Sequence, residues 1–155
     1  MSAIRIAAVD SFAADLLAGL QAAAAEEAWG RDFIAKLLAT PGALALVASC
    51  GLHGQVEAIG YALLRAGGGE CEVLSIGVLP AARRQGVGRA LLTAAVELAT
   101  GLGAASLFLE VADDNIAACD LYRAFGFQRV GLRKAYYRRL TGVADALILR
   151  LQLSR

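Results

Sequence analysis

Residues 83–89, with the sequence RRQGVGR, place three arginines around two glycines directly after an apolar strand. The strand is indicated by the alternation of Leu74, Ile76 and Val78, and Pro80 ends it because proline brings no N–H to a ladder. The glycines let backbone N–H groups approach a ligand closely. A helix expected from Ala90 adds partial positive charge at its N-terminus. This segment therefore predicts a site for a di-anion, with pyrophosphate the best fit.

Two other phosphate-binding patterns do not fit this segment. The dinucleotide fingerprint G-x-G-x-x-G requires a small residue where Leu91 stands, and the string G-x-x-x-x-G-K-[ST] is absent. What remains is R-x-x-G-x-G, from Arg83 to Gly88. A solvated turn before a surface helix is the alternative interpretation. The candidate ligand-binding residues of the segment are Arg84, Gln85, Gly86, Val87, Gly88 and Arg89.

Glu110 is a second candidate, near the end of the apolar strand expected over 106–111. Leu107, Leu109 and Val111 point to one face of that strand, so Glu110 points to the other. A carboxylate in such a strand must face a cleft or carry a shifted pKa. It could then accept a proton from a reacting group. The alternative is a surface carboxylate in a salt bridge.

Asn115 and Tyr122 lie about two turns apart on the helix expected over 115–125, and therefore on one face. A tyrosine hydroxyl can donate a proton to a leaving group, but a helix tyrosine can also simply pack on a core. Asn115 is either a ligand-binding residue or a helix cap. Cys119, between them, is interpreted as a small apolar filler.

The elements that position these residues follow one another in a mixed α/β order. We expect strands over 4–8, 43–49, 56–65, 70–78, 106–111, 130–137 and 144–153, and helices over 12–20, 31–38, 90–102 and 115–125. Ser11 is the expected cap of the first helix, and Asp113 or Asp114 that of the last. A helical crossover between the fourth and fifth strands makes them parallel.

Composition narrows the class of protein. A length of 155 residues predicts one domain, 1–155, and 58% apolar with 19% charged residues is typical of a globular chain. Residues 1–77 carry four Lys/Arg and eight Asp/Glu, whereas residues 78–155 carry eleven and six. The basic half suits a polyanionic ligand, but the net charge of +1 does not favour nucleic acid.

Other classes of site and location are not indicated. Three cysteines without C-x-x-C spacing suggest neither a disulfide framework nor a zinc site. The single histidine, His53, is expected in a turn, which disfavours a histidine-based triad. No apolar run is long enough to span a membrane, and the N-terminus lacks the cationic start of a signal peptide. We therefore expect a cytoplasmic protein that binds neither metal nor membrane.

The R-x-x-G-x-G segment resembles the pyrophosphate loop of the GNAT superfamily of N-acetyltransferases. Residues 107–139, LFLEVADDNIAACDLYRAFGFQRVGLRKAYYRR, resemble the RimI-type ribosomal-protein alanine acetyltransferases of that superfamily. Their shared features are L-E-V, the following Asn, L-Y-x-x-x-G-F and a later Y-Y before a D-A strand. The resemblance spans about 60–151 and is loose before Gly60.

The resemblance implies a GNAT fold, with a mostly antiparallel sheet of about seven strands, a central parallel pair and about four helices. It also implies acetyl transfer from acetyl-CoA to an amine, without a metal. The acceptor would be a protein N-terminus, typically the alanine of a small-subunit ribosomal protein. Glu110 would be the general base, Tyr122 the general acid and Asn115 a cofactor contact.

In the same comparison, Ile76, Gly77 and Val78 would offer backbone groups to the acetyl-pantetheine arm. A backbone N–H there could stabilise the oxyanion. Gly77 stands where the family usually has alanine, a small change that we expect to permit binding. Tyr136 and Tyr137 either border the acceptor site or pack. Two alternatives stay open, a small-molecule amine acetyltransferase and a non-catalytic acyl-CoA sensor.

Overall fold

The computed structural model describes residues 3–52 and 54–153, so the turn expected at His53 lies outside the described residues. Within those ranges the chain forms seven strands and four α-helices. The strands are β1 (Arg5–Val9), β2 (Ala43–Leu52), β3 (Gln55–Gly67), β4 (Glu70–Val78), β5 (Ser106–Ala112), β6 (Gln128–Arg139) and β7 (Gly142–Gln152). The helices are α1 (Ala14–Ala24), α2 (Arg31–Leu38), α3 (Val87–Gly101) and α4 (Ile116–Phe125).

All seven strands belong to one sheet, in the order β1-β2-β3-β4-β5-β7-β6. Every neighbouring pair is antiparallel except β4 and β5, which are parallel. This confirms the expected mixed sheet with a central parallel pair, joined by α3 as the crossover. Within the described part of the chain, no helix is long and apolar enough to cross a membrane.

The helices cover the two faces of the sheet. On one face, Leu91 and Leu92 of α3 and Tyr122 of α4 pack with Leu107 and Leu109 of β5. On the opposite face, buried residues of α1 and α2 pack with the sheet, and these are Leu17, Leu20, Ile34, Tyr61 and Leu63. We call these the α3 face and the α1 face.

The first helix begins differently from the sequence expectation. A 3-10 turn covers Ser11–Ala13, and α1 starts only at Ala14. The Asp10 carboxylate, rather than the Ser11 side chain, accepts a hydrogen bond from the Phe12 N–H at 3.0 Å. Phe12 lies in this turn and not in the helix expected over 12–20, and its side chain is 96% exposed.

The separation of β4 and β5 is the feature of the sheet that matters most for a site. The two strands pair only through Cys71–Leu107, Glu72–Phe108 and Val73–Leu109. A bulge in β4 places Leu74 between the residues paired with Leu64 and Leu63 of β3. Because a bulge bends its strand, it accompanies the departure of β4 from β5. Among the described residues, no strand therefore pairs with the edge of β4 from Leu74 to Val78 on the β5 side.

Near its C-terminal end, β6 carries an irregularity between Arg133 and Tyr137. Ala135 has a φ of +50°, a left-handed conformation that is unusual for alanine. Its N–H donates to the Asp145 carboxylate at 2.7 Å. The Asp145 carbonyl also accepts from the Asp113 N–H at 2.9 Å. One residue of β7 thus secures both the bulge and the loop after β5.

Gly77 leaves room for an aromatic ring. A Cβ atom at Gly77 would lie 2.8 Å from Tyr61 Cε1 and 2.9 Å from the Ala24 Cβ, both too close. The Tyr61 side chain is buried at this point, and its hydroxyl shares a hydrogen bond of 2.6 Å with Ser75 Oγ. The presence of glycine here is therefore explained by the volume of Tyr61.

We predict that Gly77→Ala lowers the free energy of unfolding by about 1–3 kcal/mol, because the methyl group overpacks the Tyr61 contact. Gly19→Ala is the matched control, since Gly19 lies in α1 and a Cβ there meets nothing within 4 Å. We expect the control to gain up to about 1 kcal/mol from helix propensity. Denaturant unfolding of both variants measures this, and equal stabilities would contradict the prediction.

Candidate active site

The basic segment forms an open helix N-terminus. Helix α3 begins at Val87 and not at Ala90, because Gly86 adopts a left-handed φ of +85° and serves as the N-cap. No side chain caps this end, so the N–H groups of Val87, Gly88 and Arg89 have no partner within the helix. Such N–H groups and the helix dipole together favour an anion.

The three arginines of the segment have different roles. Arg83 donates from Nε to the Val78 carbonyl and from Nη2 to the Ala24 carbonyl, each at 3.1 Å. It therefore holds the base of the segment to β4 and α1. Arg84 and Arg89 are exposed, and the Arg89 guanidinium lies 5.6 Å from the Phe125 ring. Among the described residues neither has a carboxylate partner, so both are available to an anionic ligand.

Ile76, Gly77 and Val78 lie on the free edge of β4. Their other edge pairs with Ala62, Tyr61 and Gly60 of β3. Gly88, at the start of α3, is close to this edge, since a Cβ there would lie 3.9 Å from a Val78 methyl group. An extended ligand anchored at the helix N-terminus could thus follow the β4 edge by strand addition.

Glu110 lies on the α1 face, because it alternates with Leu109 and Val111 on the α3 face. Its side chain is 25% exposed, and Oε1 lies 3.1 Å from Arg133 Nε. This carboxylate is therefore partly exposed and forms the salt bridge that was the alternative interpretation of the sequence, while a role as proton acceptor stays a prediction. The Arg133 guanidinium in turn lies 5.4 Å from the Tyr136 ring.

Tyr122 is buried in α4, with its ring edge-to-face against Phe127 at a centroid distance of 5.7 Å. Burial raises the pKa of its hydroxyl to about 12, with smaller contributions from Cys119, Tyr137 and Tyr61. The hydroxyl bonds to no other described residue, and no fully buried side-chain oxygen or nitrogen among them lacks a partner. The hydroxyl oxygen therefore reaches accessible space and keeps its proton at neutral pH.

Tyr137 lies on the same face of the sheet as Glu110, because they are opposite Ala144 and Ile148 of β7, which share a face. Burial raises the pKa of its hydroxyl, and the nearby Glu110 carboxylate raises it further. The same hydroxyl is one of the groups that raise the pKa of Tyr122. Tyr137 therefore lies in the group formed by Glu110 and Tyr122, whereas Tyr136 is half exposed beside it.

Asn115 caps α4, since its Oδ1 accepts a hydrogen bond from the Ala118 N–H at 3.2 Å. The sequence had assigned this cap to Asp113 or Asp114, which is wrong. The Cys119 thiol donates weakly to the Ala112 carbonyl at 3.7 Å, and burial raises its pKa. It therefore remains a thiol packed beside Tyr122.

Comparisons with known proteins agree with this geometry. The profile described as "Acetyltransferase (GNAT) family" matches residues 13–127. The chain belongs to the GNAT acetyltransferase family. This confirms the resemblance carried by the basic segment and by residues 107–139.

Curated relatives are similar to about half of this chain. "N-alpha-acetyltransferase RimI" of Mycobacterium tuberculosis is 51% identical over 81 residues, which are 52% of this chain and 48% of that protein. The "[Ribosomal protein bS18]-alanine N-acetyltransferase" of Escherichia coli is 40% identical over 85 residues, 55% of this chain and 57% of that protein. The chain thus spans about half the length of the curated relatives it matches.

Solved GNAT structures include one that is similar over almost the whole chain. The ribosomal-protein-S18-alanine N-acetyltransferase from Escherichia coli superimposes with a TM-score of 0.88 at 27% identity, covering 99% of this chain and 96% of that one. The IAA acetyltransferase from Bacillus cereus, at 22% identity and a TM-score of 0.79, shares the fold. The expected GNAT fold is therefore confirmed.

We predict that Tyr122 makes stability depend on alkaline pH. Its pKa is about 12 when folded and about 10 when unfolded. The unfolded state therefore loses this proton first, and the stability conferred by Tyr122 is present below pH 10 and is lost between pH 10 and 12. By pH 11 the loss is about 1.4 kcal/mol.

The measurement compares denaturant unfolding of the wild type with Tyr122→Phe at pH 9 and pH 11. The variant retains the ring but cannot ionise, so its stability should decline less between the two pH values. Equal declines would contradict the assignment of a buried, protonated hydroxyl.

Proposed function

We propose that this chain transfers an acetyl group from acetyl-CoA to the N-terminal α-amino group of a protein, by direct attack in a ternary complex. The single observation that carries the proposal is the position of Glu110, which directly follows the last pair between β4 and β5, Val73–Leu109, and so lies where the two strands separate. Glu110 reaches this gap from the α1 face, and the helix N-terminus lies on the α3 face. The two substrates would therefore meet in the gap.

Acetyl-CoA would bind with its pyrophosphate at the N–H groups of Val87, Gly88 and Arg89 and at the guanidinium groups of Arg84 and Arg89. Gln85 and Gly86 shape the segment, and the Asn115 amide lies at the start of the adjoining helix α4. The acetyl-pantetheine arm would pair with Ile76, Gly77 and Val78. A free N–H on this edge would stabilise the oxyanion of the tetrahedral intermediate.

The acceptor nitrogen must lose two protons and the sulfur must gain one. The acceptor ammonium gives its first proton to Glu110, directly or through water, and the neutral nitrogen attacks the thioester carbonyl carbon. As the tetrahedral intermediate collapses, the C–S bond breaks and the sulfur receives the Tyr122 proton. The acetylated nitrogen gives its second proton, through water, to the Tyr122 phenolate, and Glu110 releases its proton to solvent. A hydroxyl with a pKa of about 12 is protonated at neutral pH, as a general acid must be.

The similarity to the two curated relatives supports an N-terminal alanine as the acceptor, such as that of a small-subunit ribosomal protein. Both relatives are named as N-acetyltransferases, and that of Escherichia coli is named for ribosomal protein bS18 alanine. A protein acceptor of this kind is consistent with a location in the cytoplasm.

The proposal is tested by incubating the enzyme and acetyl-CoA with a panel of peptides that differ in their first residue, and with polyamines and other free amines. Mass spectrometry locates the acetyl group. We expect α-N-acetylation of Ala-starting peptides. Acetylation of free amines alone would indicate that the acceptor is a small-molecule amine and not a protein N-terminus. Binding of acetyl-CoA with no transfer would indicate a sensor.

We predict that Glu110→Gln and Tyr122→Phe each lower kcat by about 10²–10⁴-fold, since each removes a group that moves a proton in the transition state. Binding of acetyl-CoA should change little. Glu97→Gln, on an exposed position of α3, is the matched control and should retain activity. If all three variants acetylate at the wild-type rate, the catalytic assignment is wrong.

We also predict that Arg84→Ala and Arg89→Ala each weaken acetyl-CoA binding by about tenfold, because each removes a charge-assisted contact to phosphate. The loss should shrink as salt rises, since salt screens exposed charges. Arg5→Ala, an exposed arginine on β1, controls for net charge. Titration calorimetry at two ionic strengths measures the effect, and equal affinity in all three variants would exclude this pyrophosphate site.

A further inference from the structure

Arg139, the last residue of β6, connects three segments that are distant in sequence. Its Nε donates to both carboxylate oxygens of Glu26, at 3.2 and 2.9 Å. Its Nη1 donates to Asp114 Oδ2. Glu26 lies between α1 and α2, and Asp114 lies between β5 and α4. One guanidinium therefore holds together two loops and the end of a strand.

Arg139 also lies beside Tyr137, which is a neighbour of the proposed general base Glu110. The Arg139 guanidinium is 5.7 Å from the centre of the Tyr137 ring. Tyr137 in turn is near the Glu110 carboxylate, which raises the pKa of its hydroxyl. Glu110 lies opposite Ile148 of β7, Tyr137 lies opposite Ala144 and Arg139 lies opposite Gly142. Because side chains alternate along β7, all three therefore lie on the α1 face.

The connection restrains Arg139 more than a single ion pair would, although its partners Glu26 and Asp114 are 69% and 56% exposed. The Arg139 side chain is only 20% exposed although it lies at the end of a hairpin. A single guanidinium with two carboxylates and an aromatic ring keeps little freedom, because its planar fork fixes the direction of each bond. Glu26 and Asp114 also raise the pKa of Arg139, so its charge persists at any pH that the protein tolerates.

We propose that Arg139 is a positioning residue that fixes the width of the acceptor entrance and thereby selects a small first residue. This inference rests on the proposed function, because it assigns the α1 face of the gap to the acceptor. Without Arg139, Glu26 and Asp114 repel each other and their two loops separate. The entrance then widens, while the acetyl-CoA segment on the α3 face stays unchanged.

The test compares Arg139→Ala with Arg138→Ala and Arg139→Lys. Arg138 is the neighbouring arginine on the same strand, it is exposed, and its side chain points to the other face of the sheet. Lysine keeps the charge but cannot bond both carboxylates in the same planar geometry. We therefore expect Arg138→Ala to match the wild type and Arg139→Lys to be intermediate.

Two measurements decide the outcome. Hydrogen–deuterium exchange of residues 25–30 and 113–115 should accelerate about tenfold in Arg139→Ala, which is the loss of one charged hydrogen bond. The KM for an Ala-starting peptide should rise about tenfold, with the KM for acetyl-CoA unchanged. The preference for Ala-starting over Phe-starting peptides should fall by a similar factor.

Unchanged exchange in both segments overturns the inference whatever the kinetics. Faster exchange with unchanged acceptor KM and unchanged preference also overturns it, because the connection is then merely structural. A wild-type enzyme that acetylates only free amines would overturn the proposed function but not this inference. In that case the selectivity is measured with straight-chain and branched amines.

Discussion

The short ladder between β4 and β5 is the constraint on which the rest of the site depends. Three residue pairs hold the two parallel strands together, and beyond Val73 they separate. A sheet continuous to the end of both strands would close the route between its faces. The Leu74 bulge and the α3 crossover instead leave an edge of β4 with free backbone groups. Within the described chain, backbone N–H and C=O groups on this edge of β4 are thus left without a strand partner in the middle of the sheet, and a ligand can form hydrogen bonds with them.

The two faces of the sheet are specialised because of this gap. The α3 face offers helix N–H groups and two arginines without carboxylate partners among the described residues. The α1 face offers Glu110, whose carboxylate has one cationic partner in Arg133. Tyr122 belongs to the α3 face, and burial keeps its hydroxyl protonated at neutral pH.

Much of this arrangement could be predicted from the sequence, because its signals are local. Alternation of apolar residues gave the strands, and the crossover between β4 and β5 follows from their spacing around a helix. The errors at helix starts arose where two adjacent residues could each act as a cap. Asp10 competed with Ser11, and Asn115 competed with two aspartates. Helix α3 starts at Val87 because Gly86 caps it in a left-handed conformation. The sequence pattern does not reveal that conformation, so the predicted helix start was wrong.

The contacts around Glu110 could not be predicted in the same way. Arg133 reaches Glu110 across the sheet, and Arg139 reaches Glu26 over 113 positions of sequence. No periodicity reports such ion pairs, since they depend on strand order and on the bulge in β6. The Tyr61 ring beside Gly77 is similar, because only the tertiary packing shows which residue fills the space left by the glycine.

Asp145 holds two segments of the chain through hydrogen bonds. It accepts the Ala135 N–H with its side chain and the Asp113 N–H with its backbone. A left-handed alanine costs about 1–2 kcal/mol, and a hydrogen bond to a carboxylate offsets about that much, so replacements at position 135 and at position 145 are not independent. Glycine adopts this conformation without that cost, so a change of Ala135 to glycine would make the backbone here less dependent on the aspartate. The effects of substitutions at the two positions are therefore expected to be non-additive.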